Sequence, residues 1–322
     1  MKRSGTHWQW ARRALTLAFF ILIPTLLFML LRNQDWGEVR HALVSYPPGV
    51  LLLGGAIAAC SFVLFSCYDL LGRRYTGHQL PAHQVVPLAF VCYAFNLNLS
   101  AWVGGVALRY RLYSRLGLDV PTISRLLGLG LVTNWLGYLL VAGSLFACGL
   151  PRLPAGMEIG TGGLRVIGVL MLLAAAAYLG ACAFARRRSW QVRGQMLTLP
   201  SIRLALLQAV MGACNWLLMG LVIYTLLPDK VGYPSIVGVL MISSIAGVIT
   251  HIPAGLGVLE TVFITLLQGQ YAKGTLLAAL IAYRVLYFLL PLLVACVVYL
   301  LLERVASQGA GVPAPGPRDS AR

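Results

Sequence analysis

Three ionisable residues stand inside apolar sequence. Glu260 follows the run Pro253-Ala254-Gly255-Leu256-Gly257, Arg284 lies within Ala282-Tyr283-Arg284-Val285-Leu286-Tyr287, and Arg109 comes shortly after the pair Gly104-Gly105. A charge at membrane depth is costly and needs a partner or a task. Glu260 and Arg284 have opposite signs, so one reading makes them a mutual ion pair that pins neighbouring segments. The other makes them a gate or a headgroup contact. Arg109 and Arg111 likewise allow two readings. They can snorkel to the interface, or they can hold a phosphate through the planar guanidinium fork, helped by the amides of a nearby half-helix N-terminus.

Asp69 lies close to Arg73 and Arg74 and is expected to cap a helix end. Asn96, Asn98, Ser100, Asn134, Asn215, Ser243, Ser244 and His251 are read mainly as hydrogen bonds between membrane helices. Hydrolytic chemistry finds little support. The chain has no Gly-x-Ser-x-Gly elbow, no His-Glu-x-x-His and no P-loop, and its five histidines are scattered at 7, 41, 78, 83 and 251. Ser243-Ser244 near His251 is the weak remnant of a hydrolase reading. The seven cysteines fall in apolar stretches without a Cys-x-x-Cys pair, as small hydrophobes do. No metal set and no cofactor are expected.

These residues must be positioned by membrane helices. The chain is 59% hydrophobic and 11% charged over 322 residues, too apolar for a soluble fold of this length. Windows of roughly 18 or more residues, the length needed to cross the hydrocarbon, begin near Ala14, Gly49, Leu126, Val166, Leu204, Pro234 and Thr275. The net charge of +16 comes in clusters between these windows, as positive-inside topology requires. No nucleic-acid signature accompanies it. Lys2, Arg3, Arg12 and Arg13 precede an uncleaved first span and put the N-terminus in the cytoplasm.

A full crossing at 85–108 would place Arg109, Arg111, Arg115 and Arg125 outside. A re-entrant turn near 96–105 removes that conflict. His251 to Gly257 interrupts a second apolar stretch with proline and glycine, which break helices. The predicted fold is therefore an all-α polytopic membrane protein of about six full transmembrane helices plus two re-entrant helical hairpins, entering from opposite faces in an inverted repeat. Residues 1–304 form one transmembrane domain and 305–322 a disordered cytoplasmic tail. Broken backbone inside a membrane is tolerated where it lines a cavity, and transporters build substrate sites this way.

The stretches Cys92-Tyr93-Ala94-Phe95-Asn96-Leu97, Arg109-Tyr110-Arg111-Leu112-Tyr113, Asn134-Trp135-Leu136-Gly137-Tyr138, Ser243-Ser244-Ile245-Ala246-Gly247, His251-Ile252-Pro253-Ala254-Gly255-Leu256-Gly257-Val258-Leu259-Glu260 and Ala282-Tyr283-Arg284 resemble the lysylphosphatidylglycerol synthase transmembrane-region family. The resemblance implies lipid handling in a bacterial inner membrane, as in the MprF-type flippase domain, which moves aminoacylated phosphatidylglycerol between leaflets. No aminoacyl-transferase domain follows the last span, so no enzyme activity is expected.

The leading expectation is a lipid translocase or lipid-binding transporter whose two hairpins enclose a midplane cavity. Its site would comprise Asn96, Ser100, Gly104, Gly105, Arg109, Arg111, His251, Pro253, Gly255, Gly257, Glu260, Tyr283 and Arg284, with an anionic phospholipid as ligand. Two alternatives stay open: a scaffold that docks a lipid-synthesis enzyme through Arg186, Arg187 and Arg188, and an intramembrane lipid hydrolase. Homodimer formation is left open.

Overall fold

The computed structural model describes residues 37, 40–41, 44–99, 105–151, 153, 160–186, 189–192, 195–250, 255 and 257–309. Two long helices open the described bundle: α1 (Pro48–Thr76) and the shorter α2 (Ala82–Asn98). After the break come α3 (Leu108–Arg115), α4 (Val120–Ala147) and α5 (Gly160–Phe184). A two-stranded antiparallel hairpin, β1 (Ser189–Val192) with β2 (Gln195–Thr198), leads into α6 (Ile202–Leu226). Then follow α7 (Tyr233–Thr250), α8 (Val258–Leu267) and α9 (Lys273–Arg284). A π-helical turn (Val285–Leu289) joins α9 to α10 (Leu290–Gly309). The chain separates into two units, Met1–Ser45 and Tyr46–Arg322, and these helices all belong to the second.

Among the described residues six helices are long and apolar enough to cross a membrane: α1, α4, α5, α6, α7, and α9 continued through α10. The fold is thus nearly all helical, as the composition demands, with the small β-hairpin as its exception among the described residues. The expected first span near Ala14 and the tail beyond Gly309 lie outside the described residues.

The helices meet where side chains are small. Gly137 of α4 and Gly212 of α6 face each other so closely that a Cβ on either would strike the other's helix backbone. Without a hydrophobic drive between helices in lipid, such close backbone approach is what gains dispersion contact. Next to this crossing, Gln208 donates to Thr133 Oγ1 at 2.9 Å and to the Leu129 carbonyl at 3.3 Å, fixing the register of the same two helices.

Cross-links define the two ends of the bundle. At the Thr76 end of α1, Tyr75 donates to the Thr198 carbonyl, so α6 begins there. At the Pro48 end, Tyr46 donates to the Leu226 carbonyl, so α6 finishes there. Segment 82–115 starts at the Thr76 end and comes back to it, because Arg109 and Tyr113 reach Asp69 of α1 and Arg111 and Arg115 reach Glu303 of α10. Segment 233–267 starts and ends at the other side. Tyr271 donates to the Pro228 carbonyl at 2.9 Å and accepts from the Val231 amide at 3.2 Å, closing the base of that hairpin. The described arms of segment 82–115 therefore meet at the Thr76 end, and the base of segment 233–267 lies at the Pro48 end.

Pro291 sits in α10 without ending the helix. Its ring would press on the carbonyl four residues earlier, that of Tyr287. The wider π turn over Val285–Leu289 falls on that position, and such turns absorb an irregularity inside a continuous helix.

Candidate functional site

Packing brings the candidate residues into three places. The first is a cavity of about 310 Å³ enclosed by α1, the 82–115 hairpin, α4 and α6. Phe65, Tyr68 and Asp69 come from α1, Tyr93, Asn96 and Leu97 from α2, and Gly105 and Arg109 from the returning arm. Asn134 of α4 and Trp216 of α6 complete its polar and aromatic wall. Two further α4 residues, Gly128 and Leu131, line the cavity and are exposed, Leu131 at 61%. The cavity is therefore open along its α4 wall.

Asp69 and Arg109 form the charged wall. Arg109 donates from Nη2 to Oδ1 at 2.7 Å and from Nε to Oδ2 at 3.1 Å, and Tyr113 donates its hydroxyl to Oδ2 at 2.7 Å. Asp69 is 1% exposed and Arg109 8%, so each would be a bare charge in low dielectric without the other. Asp69 does not cap a helix end. α1 runs seven residues further to Thr76, and the carboxylate turns inward to meet the returning hairpin. Asn96 lies against the backbone of that arm: a Cβ at Gly105 would come within 2.9 Å of Asn96 Oδ1, so only glycine fits there without a shift.

The second place is the base of the same hairpin. Arg111 bonds Glu303 at 2.9 Å, and Arg115 pairs with the same carboxylate. Arg111 is thus engaged by the end of α10 and lies outside the cavity lining. His78, in the turn between α1 and α2, accepts from the Leu80 amide at 3.3 Å. Burial lowers its imidazole pKa from the ordinary value, the positive Arg73 lowers it further, and Asp69 opposes both.

The third place is the break of the second hairpin. Gly257 takes the left-handed conformation, with φ 79°, and opens α8. Glu260, in the first turn of α8, accepts from the Gly257 amide at 3.0 Å, which is the carboxylate half of a capping box. The same carboxylate receives Arg284 Nε at 2.5 Å and Nη2 at 3.0 Å, and Nη2 also donates to the Gly255 carbonyl at 3.1 Å. The mutual ion pair therefore forms, and it stitches the break to α9. Tyr283, 1% exposed, points elsewhere and stacks on Tyr287 at 5.4 Å between centroids. Ser100, Gly104, His251 and Pro253 lie outside the described residues.

Sequence reasoning expected one cavity between two hairpins. The described lining takes residues from the first hairpin and none from the second, whose residues 251–254 and 256 lie outside the described residues. A buried hydrogen-bonded cluster lies beside the cavity. Tyr287 meets Ser61 at 2.6 Å and Tyr93 at 3.0 Å, and Ser61 donates to Asn215 Oδ1 at 2.8 Å. Asn98 donates to the Phe288 carbonyl at 3.2 Å. Asp69, Glu303, Ser61, Tyr93 and Tyr287 were absent from the candidate set. A tyrosine within an apolar run reads as core, and only the spatial meeting of hydroxyls marks this group. No cluster of three metal-ligating side chains occurs among the described residues.

This arrangement can neutralise charge and seat a polar group within the helix bundle. The model of the lysylphosphatidylglycerol synthase transmembrane region matches residues 13–295, which takes in all three places apart from Glu303. The chain is 48% identical over 309 residues to the inner membrane protein YbhN of Escherichia coli strain K12, covering 96% of this chain and 97% of that protein. It is 29% identical over 304 residues to the uncharacterized protein slr0712 of Synechocystis, covering 89% and 91%. With its membrane-length helices, it is a multi-pass inner-membrane protein. The chain belongs to the lysylphosphatidylglycerol synthase transmembrane-region family.

Proposed function

We propose that this protein is a lipid translocase of the bacterial inner membrane, which takes a phospholipid headgroup into the side-opening cavity while the acyl chains stay in the bilayer. The observation that carries this reading is the position of the rim. Gly128 and Leu131 of the membrane-length helix α4 line the cavity and are exposed, which we read as a mouth toward the lipid. A water-soluble substrate would have no use for a mouth on that flank, whereas a lipid reaches it by lateral diffusion. The polar wall of Asp69, Arg109, Asn96 and Asn134 supplies what a headgroup leaves behind in water.

The Thr76 end carries Arg73, Arg74, Arg115, Arg125, Arg186 and Arg203. We assign it to the cytoplasm by the positive-inside rule; together with the first span expected from the sequence near Ala14, this gives both chain termini to the cytoplasm. In that frame the first hairpin dips in from the cytoplasmic face and the second from the other. Arg284 and Glu260 then act as a latch on the second hairpin.

The test is reconstitution into vesicles carrying a fluorescent phospholipid, with dithionite quenching to read movement between leaflets. The wild-type protein accelerates movement and Gly128→Trp arrests it. A Cβ at Gly128 meets nothing within 4 Å, so a side chain can begin there without striking a neighbour, and retention of the wild-type unfolding midpoint checks that the bulky variant is folded. No acceleration by the wild type, or full activity of the plugged variant, refutes the proposal.

A further inference from the structure

We infer that the cavity selects a zwitterionic headgroup, a phosphate joined to an ammonium, over an anionic one; this rests on the translocase reading above. Asp69 and Arg109 line the cavity as a matched pair, so the charged wall sums to zero. A ligand with net negative charge entering there gains Arg109 but meets Asp69 at the same place, and pays its own desolvation besides. A dipolar headgroup uses both. Two of the five guanidinium N–H groups are spent on Asp69, and Arg109 and Asn134 are both lining residues, whose side chains carry the donors that a phosphate needs.

The second observation is the aromatic wall. Phe65, Tyr93 and Trp216 border the same space, with the Phe65 and Tyr93 rings stacked at 3.5 Å. Aromatic faces attract ammonium groups, and quaternary ones are recognised in this way. An anionic headgroup ending in hydroxyls makes no such use of three rings. A volume of about 310 Å³ is at the small end of ligand sites, which run about 300–1,000 Å³. It suits a headgroup and excludes acyl chains.

Binding decides this independently of transport. The detergent-solubilised full chain is titrated with dihexanoyl-phosphatidylcholine, dihexanoyl-phosphatidylglycerol and free glycerophosphocholine, and binding is read by native mass spectrometry. The phosphatidylcholine binds several-fold more tightly than the phosphatidylglycerol. Trp216→Leu lowers phosphatidylcholine affinity about two- to fivefold, the worth of one cation–π contact, and leaves phosphatidylglycerol unchanged. Equal or tighter binding of phosphatidylglycerol, or binding of neither lipid, overturns the inference even if vesicle assays show lipid movement. Preference for phosphatidylcholine without any movement in vesicles sustains the selectivity and removes the translocase reading. Glycerophosphocholine binding as tightly as the diacyl form assigns the site to a free zwitterion, and weaker binding assigns it to a lipid.

Discussion

Removing one partner of the Asp69–Arg109 pair should cost far more than removing both. Asp69→Asn leaves the 8%-exposed guanidinium of Arg109 without a counter-charge and also weakens the bond from Tyr113. Breaking a buried pair on one side costs about 3–5 kcal/mol, whereas replacing both charges by neutral groups of similar volume is often near neutral. Asp69→Asn and Arg109→Met alone are therefore each expected to lose about 3 kcal/mol or more, and the double variant to recover most of that loss. The assay is reversible unfolding in mixed micelles of mild detergent and SDS, followed by tryptophan fluorescence. The cycle gives a coupling of roughly 2 kcal/mol or more. If the two losses simply add, the charges do not act as a pair and the account of the first hairpin's anchorage fails.

Gly212→Val places a Cβ against the Gly137 backbone and should cost about 1–3 kcal/mol or separate α4 from α6, read by the same unfolding titration. Arg284→Gln should release Gly255 and Glu260, so hydrogen exchange across 255–261 rises while exchange in α1 and α6 stays unchanged; an unaltered rate at the Gly257 amide would show that α8 is held without the ion pair. His78 has a lowered pKa in the folded protein, so the unfolded chain binds its proton more readily. That contribution to stability is complete above the unfolded value of about 6.5 and is lost as pH falls below it. The wild type should lose stability through that window, and His78→Gln should flatten the loss; parallel pH profiles would rule this out.

The membrane class and both helix breaks were legible in the sequence because their causes are local. Apolar length, proline and glycine act on the residues that carry them, and Glu260 and Arg284 advertised each other as isolated opposite charges. Asp69 was misread for the complementary reason. Its sequence neighbours Arg73 and Arg74 suggested a helix end, but its partner arrives from 40 residues further on, once the hairpin folds back. Glu303 is engaged by Arg111 and Arg115 in the same long-range manner. The contact of Tyr93 with Tyr287 was also hidden, since nothing in their spacing shows that their hydroxyls meet.

Residues 284–288 hold both hairpins within little more than one helical turn. Arg284 grips the break of one through Glu260 and the Gly255 carbonyl, while Tyr287 and the Phe288 carbonyl grip the other through Tyr93 and Asn98. The backbone between those grips is π-helical, with one residue more per hydrogen-bonded ring than an α-turn. Drawing that surplus residue out or in would rotate the tyrosine side relative to the arginine side. In the proposed topology, a shift of either segment would then pass to the other through these five residues.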